Sequence, residues 1–296
     1  MNGTDAANSL QIDYVAASAD MRDFVHSLFV LRSGESAARS IMPAYSAQLS
    51  CFVEGSGRID YPGRGMGQSH DLTLNAPMLQ AAPLALEGPI LNIGASFTPL
   101  GWSIFSGLQA DTVHDTAFAA EEVVPPQELA PLETALRQCR EGTITHQEYA
   151  RAVEDMIRRV CRLPTRRSRA DHRAVLRAIE DWLESAFNPP IAELYDRVNL
   201  SSRQVQRLCR RYYGVPPAQL LKRYRAIRAA MILAQKDPPA HLRDEILAAY
   251  FDQAHLIRDV RRYTGFTPKA LLKEPIAQEM LDPSGHGRTG ERLRKR

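Results

Sequence analysis

Between residues 200 and 275 the chain repeats itself at an offset of 51 residues, and this repeat constrains the fold more than any other feature. Arg207-Leu208-Cys209-Arg210-Arg211-Tyr212-Tyr213-Gly214-Val215-Pro216-Pro217 aligns with Arg258-Asp259-Val260-Arg261-Arg262-Tyr263-Thr264-Gly265-Phe266-Thr267-Pro268. Upstream, Ser201 falls opposite Asp252, and both residue types cap helix N-termini. Val205 aligns with Leu256 and Cys209 with Val260, so the apolar positions coincide. Gly214 and Gly265 stand where a helix stops in the left-handed conformation, with a proline three residues on. Each copy predicts a capped helix, at about 202–213 and 253–264, preceded by a shorter helix and a tight turn. The chain is expected to carry a helix-turn-helix twice.

The predicted helices divide into an apolar and a basic face. In the first, Val205, Leu208, Cys209 and Tyr212 form the inner stripe, leaving Ser202, Arg203, Gln206, Arg207 and Arg210 outside. In the second, Leu256, Val260 and Tyr263 point inward, and Gln253, Ala254, His255 and Arg258 lie at the N-terminal outer face. Arg and Gln read guanine and adenine edges in a major groove, and the N-terminal residues of a recognition helix are those that reach bases. Arg210, Arg211, Arg261 and Arg262 come later in each helix and suit phosphate contacts or solvent. For His255 a packing role competes evenly with base reading.

Charge follows the same division. The formal net charge is only +3, yet residues 1–165 hold 11 basic against 19 acidic side chains, while residues 166–275 hold 21 against 12. Of those 21, 17 are arginine, whose planar fork fits phosphates and base edges. The C-terminal half alone is therefore expected to meet a polyanion. A solvated basic face on an ordinary helical domain is the bland reading, and the duplicated spacing weighs against it. No apolar run approaches the ~18 residues that would span a bilayer. Met1 to Leu10 has neither a basic nor an apolar region of a secretory signal. Cys51, Cys139, Cys161 and Cys209 lack Cys-x-x-Cys spacing, which fits buried thiols in a reducing cytoplasm.

Texture along the 296 residues suggests an α+β chain. Residues 20–125 read as β-rich, with runs such as Phe24–Leu31 and Leu49–Val53 separated by Gly- and Pro-containing turns. Residues 126–162 turn helical, completing an N-terminal regulatory domain at 1–162. The polar, basic stretch 163–170 reads as a linker, 171–275 as an all-α DNA-binding domain, and 276–296 as a basic disordered tail. Phe97 and Trp102 are expected in the core.

Residues 171–275 resemble the DNA-binding domain of the AraC/XylS family of bacterial transcription regulators. The resemblance rests on Leu200-Ser201-Ser202-Arg203-Gln204-Val205-Gln206-Arg207-Leu208, on the Gly-x-x-Pro ends of both repeats, and on Tyr250-Phe251-Asp252-Gln253-Ala254-His255-Leu256-Ile257-Arg258-Asp259. It implies two helix-turn-helix units tied by a connecting helix at Pro217–Gln235, their recognition helices entering successive major grooves ~34 Å apart. It also implies base contacts by Arg203, Gln206 and Arg207 in one helix and by Gln253, His255 and Arg258 in the other. The chain departs from the family pattern at Ala249, usually glycine, at Tyr195, usually small, and at Arg243-Asp244-Glu245, usually apolar. A shortened or shifted leading helix in the second unit is expected from these departures. Residues 20–125 weakly resemble the cupin-like sensory domains that precede this DNA-binding domain, and Gly94–Trp102 looks like the Phe-x-Pro-x-Gly segment of one group of them. Metal-binding cupins use a close His-x-His pair, whereas His26, His70 and His114 stand alone, so no metal is expected.

The expected function is binding, not chemistry: a cytoplasmic transcription factor with no catalytic residues and no cofactor. Double-stranded DNA is the expected partner. RNA polymerase, a small-molecule effector acting through the N-terminal domain, and a second copy of the chain are further candidates; a membrane is not. Two alternatives stay open, a cupin-type small-molecule enzyme fused to a basic helical domain, and a non-specific nucleic-acid-binding protein.

Overall fold

A computed structural model describes residues 10–34, 37–166, 170–235 and 237–282. Eight antiparallel strands form one sheet: β1 (Gln11–Val15), β2 (Val25–Ser33), β3 (Ala37–Met42), β4 (Gln48–Tyr61), β5 (Gly65–Gln68), β6 (Leu72–Asn75), β7 (Ala82–Phe97) and β8 (Ala117–Ala119). The path runs β1-β2-β7-β4-β6-β8, with β3 also pairing with β7 and β5 with β4. The long β7 is the spine: β3 and β2 share one of its edges, at 82–87 and 90–97, while β4 follows the other. Register shifts near Glu54 bend β4, as bulges do. β1 lies upstream of the expected β region. Its alternating exposed and half-buried residues make an edge strand on β2.

Helices α1 (Pro99–Ser106) and α2 (Ala110–Val113) interrupt the region expected to be β-rich. The Phe-x-Pro-x-Gly segment is the junction between sheet and helix. Phe97 ends β7, Thr98 caps α1 by accepting from the Gly101 N–H at 2.9 Å, and Pro99 takes the first helical position, where its missing N–H costs nothing. A Cβ on Gly101 would lie 1.9 Å from the Phe24 carbonyl oxygen, so the helix can approach β2 only with glycine there. Phe97 and Trp102 are fully buried. α3 (Pro126–Arg140) and α4 (His146–Arg162) cover one sheet face and share its core through Leu132, Tyr149, Val153 and Ile157.

The C-terminal region is helical: α5 (Ala170–Ser185), α6 (Ile191–Asp196), α7 (Ser202–Tyr213), α8 (Pro217–Leu233), α9 (Ala240–Ala249), α10 (Gln253–Thr264), α11 (Pro268–Leu271) and α12 (Pro275–Met280). Two cores divide these helices. Leu176, Ile179 and Trp182 of α5 pack with Val205 and Cys209 of α7 and with Leu220 and Leu221 of α8. Ala229 to Ile232, farther along α8, pack with Leu242 and Ile246 of α9 and with Leu256 and Val260 of α10. α8 therefore enters one unit with its first turns and the other with its last. Among the described residues no helix is long and apolar enough to cross a membrane.

Residues 276–282 correct the expected disordered tail. Ala277, Met280 and Leu281 are buried, Met280 against the second face of the sheet. Glu279 accepts from the Ile12 N–H at 3.4 Å, and its carbonyl accepts from the Tyr14 hydroxyl. The helix forms because β1 offers it a surface; residues 283–296 lie outside the described residues, as do Arg167 to Arg169 of the expected linker.

Candidate nucleic-acid interface

α6–α7 and α9–α10 are the two helix-turn-helix units, and the second helix of each runs over the residues expected from the repeat. Ser201 accepts from the Gln204 N–H while the Gln204 side chain accepts from the Ser201 N–H, a reciprocal cap. Asp252 accepts from the His255 N–H at 2.6 Å. Gly214 (φ 80°) and Gly265 (φ 82°) end the two helices in the left-handed region. α9 is a complete ten-residue helix, not a shortened one, because Leu242 and Ile246 one turn apart bury a sufficient stripe and Arg243 and Asp244 face solvent.

On α7 the inner residues Val205, Leu208, Cys209 and Tyr212 are buried, and burial pushes the Cys209 thiol up to about 12. Ser202, Arg203, Arg207, Arg210 and Arg211 are exposed. Gln206 is half-buried, its amide nitrogen 3.5 Å from the Tyr195 hydroxyl, so the unusual Tyr195 braces it. On α10, Gln253, Ala254, Arg258, Arg261 and Arg262 are exposed. His255 is tied inward: Nε2 lies 3.3 Å from Asp259 Oδ2, and the ring stands edge-on to Tyr250. Arg211 and Arg262, equivalent in the repeat, lie 5.9 and 5.7 Å over the rings of Tyr212 and Tyr263.

Several side chains that hold the two units together carried no sequence signal beyond their charge. Asp259 is buried within the basic helix and gathers Lys222 at 3.0 Å and Arg225 at 3.3 Å, besides His255. Its one trace in the sequence is an acid four residues after His255. Arg225 also donates to the Ala249 carbonyl at 3.1 Å and lies 4.3 Å over the Tyr250 ring, fixing the turn that leads into α10. Arg228 donates to the Ala186 carbonyl at 2.9 Å and lies over Phe187. Arg223 is half-buried against the N-terminal region, donating to the Met78 carbonyl at 3.1 Å, and desolvation holds its guanidinium pKa below the usual arginine range. These three arginines belong to the architecture, so the basic count overstates the charge that faces outward.

Both α7 and α10 rest their C-terminal ends on the N-terminal region. A Cβ on Gly214 would touch Leu79, and one on Gly265 would lie 2.3 Å from Ile41. Tyr263 and Arg262 carbonyls accept from the Ala44 and Ala81 N–H groups at 2.7 and 3.0 Å. Beside this contact lies a cavity of about 480 Å³ walled by both regions, with Arg22, His26, Arg173, Arg177, Tyr213 and Arg228 in its lining. Asp23 and Arg177 pair across it at 3.2 Å.

Residues 194–274 match a family model described as a helix-turn-helix domain. No curated protein matches the chain. Among solved structures, the crystal structure of ToxT from Vibrio cholerae O395 is similar at 10% identity and a TM-score of 0.46, covering 85% of this chain and 98% of that one. Unsaturated fatty acid-bound wild-type ToxT from Vibrio cholerae strain SCE256 is similar at 7% identity and a TM-score of 0.43, over 92% and 97% of the two chains. The AraC-like transcriptional activator CuxR gives 10% identity and a TM-score of 0.31 over 82% and 87%.

Proposed function

We infer that this chain, a DNA-binding transcription regulator through its AraC-type helix-turn-helix domain at 194–274, reads a specific operator with α7 and α10 in adjacent major grooves. The observation that carries this is the duplication itself. Two capped helices of equal length present basic outer faces, while α8 sits in the core of both units and sets their spacing. In this reading Arg203, Gln206, Arg207, Gln253 and Arg258 meet base edges, with the methyl group of Ala254 beside them. Ser202, Arg210, Arg211, Arg261 and Arg262 meet phosphates, which supply affinity and salt sensitivity. His255 positions the second helix through Asp259 in place of reading a base.

Residues 1–162 then act as a regulatory domain and 171–275 as the DNA-binding domain, joined by the linker at 163–170, in the cytoplasm. The cavity between them supports control by a small molecule: a ligand there touches both regions and so can bias their docking. Because the Tyr263 and Arg262 carbonyls bond to the N-terminal region, a shift in that docking moves α10 directly.

Two single variants test the assigned roles. Arg207→Ala should cost about 1–3 kcal/mol on the preferred operator and relax discrimination at one base pair. Arg211→Ala should weaken all duplexes alike and lower the salt slope by about one. Equal small effects from both, measured by titration at several salt concentrations, would remove the assignment.

A further inference from the structure

Phe251 is 94% exposed, more than any other large hydrophobic side chain among the described residues. It stands immediately before the cap residue Asp252 of α10. An apolar residue there ordinarily packs against the fourth helical residue and fixes the entry of the chain. In the first unit Leu200, 51 residues earlier, does pack on its core. In the second, Leu256 is buried without Phe251, and Tyr250 closes the turn under Arg225. Phe251 therefore contributes nothing visible to the fold, and its exposure is unfavourable in water.

Its surroundings carry both signs, with Arg258 and Arg262 beyond the cluster that Asp259 gathers. Phe251 rims a shallow concavity with Lys222, His255, Arg258 and Arg262; the two carboxylates there, Asp252 and Asp259, are engaged in the helix cap and in the Lys222–Arg225 cluster. The ring is next to the N-terminal end of α10, opposite the end that rests on the N-terminal region. An apolar group in the major groove of B-DNA is the thymine C5-methyl. Resting on the function proposed above, we propose that Phe251 is a specificity-determining residue that reads a thymine methyl at the edge of the second half-site.

The test uses the full chain and its best operator from a random-duplex selection. Each thymine of the second block is replaced in turn by deoxyuridine, which removes only the methyl group. Affinities are measured for the unmodified chain, Phe251→Ala and Phe251→Leu. At one position the unmodified chain should lose about fourfold; Phe251→Ala should lose a similar factor on the thymine duplex and become indifferent to uracil there; Phe251→Leu should keep part of the sensitivity. The same uracil profile for the unmodified chain and Phe251→Ala overturns the proposal and leaves the regulator reading intact, as does a second block without thymine. Absence of any enriched operator overturns both.

Discussion

Asp259 shows how far a single side chain can govern the second helix of a helix-turn-helix unit. Its carboxylate is shielded from water and satisfied by Lys222, Arg225 and His255, which link α10 to α8 and to its own first turn. Removing one partner of a buried ion pair leaves the others uncompensated. Asp259→Ala should therefore lower stability by about 3 kcal/mol, read from denaturant unfolding; a loss under 1 kcal/mol would mean that solvent replaces the carboxylate. The burial of Cys209 was legible in the sequence because it lies on an apolar stripe of period 3.6. The role of Asp259 was not, because periodicity records polarity and not pairing. The same limit hid Arg223, Arg225 and Arg228: a charged residue reads as solvated until the carbonyls and rings that meet it are in place.

At the scale of elements, α7 and α10 were legible to the residue because their stop signals are local. A cap side chain three residues from the N–H it serves, and a glycine at the far end, need no distant partner. β1 and α12 were missed for the opposite reason. β1 forms on β2 and α12 docks on it, Glu279 bonding to Ile12 and Tyr14 across 265 or more residues, and neither has a strong pattern alone. Gly265 joins the two kinds of information. Its φ of 82° is a local demand, and its 2.3 Å approach to Ile41 is a tertiary one that the sequence does not display. Gly265→Ala should cost about 1–2 kcal/mol from the backbone alone, and more from the contact. Thermal unfolding of Gly265→Ala, Ile41→Ala and the double variant should show less than additive loss, since a smaller side chain at 41 makes room for the methyl group; strict additivity would contradict the docking described.

Across the whole molecule, the charge division between residues 1–165 and 166–275 led to the expectation that the helical half meets a polyanion, and that half is where the helix-turn-helix domain matches, at 194–274. What charge did not disclose is that the N-terminal sheet region grips that half at the ends of both α7 and α10 and shares a cavity with it. Such contacts join residues more than 100 positions apart and have no periodicity to betray them. In the proposed function α7 and α10 read DNA together, with α8 in both cores setting their spacing. Selection of bound duplexes from a random library by the full chain at ~150 mM salt tests it most directly. Two enriched blocks with centres about 10 base pairs apart are predicted. A single enriched block, or none, would contradict it.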